Sequence, residues 1–69
     1  MSAVWINVNG QPYTAARGST LEQVVGAVTA LSSGVAAAVN GEVVPRGRWA
    51  ATELREGDRL EIVTAVQGG

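Results

Sequence analysis

The chain has 69 residues and a formal net charge of −1, enough for one domain with a single small core. It contains no cysteine, histidine or lysine, which excludes a disulfide, a thiolate metal site, the commonest general base and any side-chain amine for isopeptide attachment. Its five basic residues are all arginines and are interleaved with six acids, which excludes the clustered basic footprint of a nucleic-acid binder.

From the start, Val4, Ile6 and Val8 alternate with Trp5, Asn7 and Asn9, the period-two pattern of a strand with one buried face. That alternation places Trp5 on the face opposite Ile6. Asn9-Gly10 follows, a pair that accepts positive φ at both positions and favours a tight hairpin; Gln11 to Ala16 is the predicted return strand. Gly18-Ser19-Thr20-Leu21-Glu22-Gln23 then offers two overlapping capping boxes, Ser19 with Glu22 and Thr20 with Gln23. Leu21, Val24, Val25, Val28 and Leu31 recur at helical spacing and predict one apolar face laid on a sheet. Gly26 sits off that stripe and weakens the helix slightly, and Ser32-Ser33-Gly34 is its predicted end.

Val35 to Val39 reads as a strand, Asn40-Gly41 as a second hairpin and Glu42-Val43-Val44 as a short return that Pro45 breaks. Arg46 to Leu54 is an irregular connection with a short helical turn carrying Trp49. Glu56-Gly57-Asp58 is a turn, and Arg59 to Thr64 the last strand, with Leu60 and Ile62 facing the core and Glu61 outward. Hairpin, helix, hairpin and final strand describe an α+β fold, the β-grasp or ubiquitin-like roll: a mixed sheet of four to five strands crossed by one main helix, with a flexible C-terminal tail. The domain spans residues 1–64 and the tail 65–69. The right-handed crossover rule sets the first and last strands side by side and parallel in the sheet centre.

The chemistry points to the chain end. Ser19 and Thr20 have no histidine to activate them, and capping accounts for both. Arg17-Gly18-Ser19-Thr20 lacks the lysine and spacing of a phosphate-binding loop. No metal-ligating set is present in the sequence, and a free-standing enzyme is the weakest reading. Gly68-Gly69 is different. Two residues without Cβ can thread a narrow pocket, and the terminal carboxylate, ionised at neutral pH, becomes electrophilic once converted to an acyl-adenylate. A sulfur nucleophile attacking that mixed anhydride leads to a thiocarboxylate, a sulfur carrier that needs no cysteine.

Nearly the whole chain resembles the ThiS family of sulfur carriers in thiamin biosynthesis. The matching segments are Val8-Asn9-Gly10, Thr20-Leu21, Val39 to Arg46, Trp49 with Thr52 and Leu54, and above all Glu56 to Gly69. Met1-Ser2-Ala3 extends the start, and Gly47-Arg48 stands where the family carries more polar residues. The resemblance implies that a ThiF-like adenylating enzyme activates Gly69 with ATP and magnesium, neither bound by this chain itself. It implies a persulfide from a cysteine desulfurase or rhodanese-like donor, and delivery of the sulfur to a ThiG-like thiazole synthase. Gly69 then carries the transferred group and Gly68 gives it passage, while Ala65 and Val66 line the partner's channel. Trp5 and Trp49 are candidate partner contacts, tryptophan being enriched at interface hot spots.

Two other readings stay open on the residues. A carrier for molybdopterin or cysteine synthesis shares the fold and the Gly-Gly end, although the Glu-Val-Val-Pro-Arg and Thr-Ala-Val-Gln runs favour thiamin. A non-catalytic β-grasp docking module needs no tail at all. No apolar run is long enough to span a membrane and no secretion signal opens the chain, so a cytoplasmic location is expected.

Overall fold

Both Asn-Gly pairs fold as the sequence requires. Asn9 and Gly10 have φ of 52° and 85°, and Asn40 and Gly41 have 53° and 85°. Positive φ at both central residues defines the hairpin turn whose twist matches that of the strands it joins. The computed structural model describes residues 2–30 and 34–64. It contains β1 (Ala3–Val8), β2 (Gln11–Ala16), α1 (Leu21–Val28), β3 (Val35–Val39), β4 (Glu42–Val44), a 3-10 helix (Arg46–Ala51) and β5 (Arg59–Thr64).

The five strands form one sheet in the order β2-β1-β5-β3-β4. β1 and β5 are parallel neighbours, as the crossover rule demands, and β5 lies in the middle. Pro12, which has no N–H to give to a ladder, is accommodated because β2 is an edge strand. β4 is the opposite edge and stops after three residues, immediately before Pro45.

On the inward face Val4, Ile6, Ala37, Leu60 and Ile62 meet Leu21, Val24 and Val25 of α1 in one core. Trp49 and Leu54 close the core from the connection that follows β4. Among the described residues no polar or charged residue is buried, and the indole N–H of the buried Trp49 is paired with Val44 O, so its desolvation is compensated.

The helix departs from the sequence expectation. Leu21, Val24 and Val25 are buried as predicted, but Val28 is 41% exposed, while Leu31, Ser32 and Ser33 lie outside the described residues. The helix stops at Val28 because Thr29 takes an extended conformation, its N–H still bonding Val25 O. Gly26 and a run of β-branched residues make a longer helix unfavourable in this stretch.

Of the two candidate capping boxes, Thr20 with Gln23 is the one that forms. Gln23 N donates to Thr20 Oγ1 at 3.3 Å, and Thr20 N donates to Gln23 Oε1 at 2.9 Å. Ser19 is otherwise engaged. Its carbonyl accepts from Leu54 N at 2.9 Å, beside an antiparallel bridge between Thr20 and Glu53. The helix start is thereby tied to the segment leading into β5.

Candidate functional site

The expected site is a chain end, so what the fold supplies is the root of that end. β5 runs through the sheet centre and closes at Thr64. On one side β3 pairs with it along its full length, from Val39↔Leu60 to Val35↔Thr64. On the other side the β1 ladder covers only Asn7↔Arg59 and Val8↔Leu60. The start of β5 is fixed by its turn. Asp58 N donates to Arg55 O at 3.0 Å, and Arg55 N donates to Asp58 Oδ2 at 2.8 Å. Gly57 takes φ of 86° in that turn, a conformation that strains any residue with a Cβ. Glu56 Oε1 accepts from Trp5 N at 2.9 Å. Asp58 therefore does turn chemistry, as its spacing suggests, while Glu56 caps a backbone N–H of β1.

Gly69, Gly68, Val66 and Ala65 lie outside the described residues. The two tryptophans separate cleanly. Trp5 is 61% exposed on the open face of the sheet. Trp49 is 4% exposed, its Nε1 donates to Val44 O at 2.8 Å, and the Arg46 guanidinium stands 5.1 Å above its ring. An indole that fills the core and is capped by its own chain's arginine serves packing, which leaves Trp5 as the exposed one.

Trp5 does not stand beside the tail root. Gly57 N donates to Trp5 O at 2.8 Å, which sets Trp5 level with the start of β5. Thr64 ends the same strand about 20 Å further on, at roughly 3.3 Å per residue. Nearest the root on the open face is Val63, 62% exposed and directly opposite Ala36. Ala38 follows two residues on, opposite Val43, which is 71% exposed. Sequence reading missed this apolar strip. The signal was available in the alternation that puts Leu60 and Ile62 inward and hence Val63 outward.

Asparagines 9 and 40 were legible only as turn formers, yet each also reaches β5 with its side chain. Arg59 N donates to Asn40 Oδ1 at 2.9 Å, and Ile62 N donates to Asn9 Oδ1 at 2.7 Å. Among the described residues no group of three or more His, Cys, Asp or Glu is placed to hold a metal ion, and no helix is long and apolar enough to cross a membrane. The arrangement is a central strand paired on both sides whose last residue, Thr64, is also the last described residue.

Comparison with known proteins bears on what that end does. The model of the ThiS family matches residues 6–69. The sulfur carrier protein ThiS of Escherichia coli K12 is 30% identical over 61 residues, covering 88% of this chain and 92% of that protein. The thiazole synthase of Magnetococcus marinus is 38% identical over 64 residues, 93% of this chain; the chain spans only 20% of the length of that relative. Among solved structures, the thiamine biosynthesis protein ThiS from Geobacter metallireducens superposes with a TM-score of 0.82 at 30% identity, over 96% of this chain and 100% of that one.

Proposed function

The chain belongs to the ThiS family, sulfur carriers of thiamin biosynthesis, and we propose that its sulfur travels on the C-terminal carbonyl of Gly69. The observation that supports this reading is that the family match extends over residues 6–69, so the Gly-Gly end lies within the matched range.

In the proposed sequence a ThiF-like partner, using ATP and magnesium, joins a Gly69 carboxylate oxygen to the α-phosphorus and releases pyrophosphate. The terminal sulfur of a persulfide, supplied by a cysteine desulfurase or rhodanese-like donor, attacks the activated carbonyl and AMP leaves. A second thiol then attacks the donor-cysteine sulfur of the acyl disulfide, breaking the S–S bond, releasing the thiocarboxylate and forming a disulfide between donor and thiol. The chain acts as a protein co-substrate in these steps and contributes no catalytic side chain. Gly68 gives the end passage, and Ala65 and Val66 line the partner's channel.

The acceptor we propose is a ThiG-like thiazole synthase. Support comes from the Magnetococcus relative, in which a segment similar to nearly this whole chain makes up about a fifth of a protein named thiazole synthase. Segments joined in one polypeptide commonly work together, and a carrier joined to its acceptor meets it at high effective concentration.

Intact-protein mass tests the reading. After incubation with the adenylating partner, ATP-magnesium, a persulfide donor and a reducing thiol, the chain gains the difference between sulfur and oxygen. An unchanged mass, with the same partner active on the Escherichia coli carrier, would leave a docking module as the better description.

The two tryptophans yield a separate expectation. Trp49→Ala opens the core and costs about 3–5 kcal/mol, which urea denaturation detects. Trp5→Ala changes stability by only about 0.5 kcal/mol. It is expected to raise the carrier concentration needed for half-maximal adenylation about tenfold, as loss of an exposed aromatic anchor does. Unaltered half-saturation would remove Trp5 from the partner contact.

A further inference from the structure

Beyond Val8 the chain turns away from β5 at Asn9-Gly10, and the β1 ladder ends. Asn9 N still donates to Leu60 O at 2.9 Å. The next rung is made by a side chain. Ile62 N donates to Asn9 Oδ1 at 2.7 Å, and Asn9 Nδ2 donates to Ile62 O at 3.1 Å. A carboxamide presents one acceptor and a donor in the same plane, like a peptide group. It therefore stands in for the missing residue of β1 and extends the pairing by one step along β5. Ile62 is two residues before the end of the strand, and among the described residues this carboxamide pair follows the last rung of the β1 ladder along β5.

We infer that Asn9 is a positioning residue for transfer at the chain end: its paired bonds to Ile62 hold the end of β5 from the β1 side, and β5 is the strand that leads to Gly69. The inference rests on the reading of Gly69 as the sulfur-bearing residue. Without the carboxamide, Ile62 keeps its pairing with Ala37 and its place in the core but loses both hydrogen bonds that hold it from the β1 side.

The second hairpin supplies the control. Asn40 has the same backbone geometry, with φ of 53° followed by 85° at Gly41. Its carboxamide also grips β5, but at the start: Arg59 N donates to Asn40 Oδ1 at 2.9 Å, and Asn40 Nδ2 donates to Asp58 Oδ1 at 3.0 Å. Asn9→Gly and Asn40→Gly each keep a residue at ease with positive φ, so both hairpins remain. Each variant removes one carboxamide from one end of the same strand.

The experiment is single-turnover adenylation of the full chain by the ThiF-like partner, with thermal unfolding of each variant alongside. Both variants are expected to melt somewhat below the wild type. Only Asn9→Gly should lower the saturating rate, by about tenfold, a loss in the range that small misplacements of a reacting group produce. Its half-saturating concentration should stay within about twofold of wild type, because the open sheet face is untouched. Asn40→Gly should keep both parameters. Equal saturating rates for the two variants, or a change confined to half-saturation, would overturn the positioning role. Failure of the wild-type chain to be adenylated at all would count against the reading of Gly69, and it would be seen before any variant is compared.

Discussion

Deleting Gly69 is expected to abolish the sulfur-for-oxygen mass gain while leaving the melting temperature unmoved. The shortened chain ends in Gly68, which carries the same kind of carboxylate on the same kind of residue, so its intrinsic chemistry is unchanged. What changes is reach, by one residue or about 3.5 Å. A reacting group displaced by only about 1 Å can lose on the order of 100-fold in rate, and a shift several times larger places the carboxylate out of line with the nucleotide. Among the described residues the last core side chain is Ile62 and the last strand ends at Thr64, and Gly69 has no side chain to bury, which is why the unfolding transition should not respond. Gly69→Ala separates reach from fit: it restores the length and adds one Cβ, and a deficit between wild type and deletion would show that the passage admits only glycine. Full sulfur loading of the deleted chain would remove Gly69 from the mechanism.

Most of the fold was legible because its signals are local. Asn-Gly pairs need positive φ and announce both hairpins. Alternation marks β1 and β5, and the crossover rule follows from element order alone. Competition between local signals was less legible. Ser19 and Thr20 are equal candidates for the cap until Leu54 N claims the Ser19 carbonyl, a contact 35 residues along the chain from one element to another. Val28 fits the helical stripe by spacing, but low helix propensity ends α1 before that turn can bury it. Trp49 could not be assigned between core and surface, since its environment depends on how an irregular connection folds back over α1.

The candidate site divides in the same way. Gly69 could be proposed from the sequence because the role proposed for it is chemical and does not depend on tertiary contacts. The second role of Asn9 was hidden, because a turn-forming asparagine and one that also completes a strand ladder read identically in sequence. Only the parallel register, Asn7 opposite Arg59 and Val8 opposite Leu60, shows that the ladder stops one rung short of Ile62.

Leu60→Ala is expected to be among the most damaging single substitutions inside the fold. Leu60 is fully buried and pairs with Val8 on one side and Val39 on the other, at the point where β5 is held from both directions. Truncating a buried leucine costs about 2–5 kcal/mol, and a domain of this size has only about 3–10 kcal/mol in total. The melting temperature should fall by about 10 °C or more, with much of the population unfolded at the upper end of the cost. Val63→Ala on the same strand removes an apolar side chain that is 62% exposed and should shift stability by about 0.5 kcal/mol or less. The pair also asks whether the partner reads the domain or only its tail. If the sheet face is required, adenylation of Leu60→Ala follows the folded fraction as temperature rises, because the tail's covalent structure is untouched throughout. Activity that persists above the midpoint would mean that the free end suffices, and would remove the need for Asn9, Trp5 or any other residue of the sheet in the recognition step.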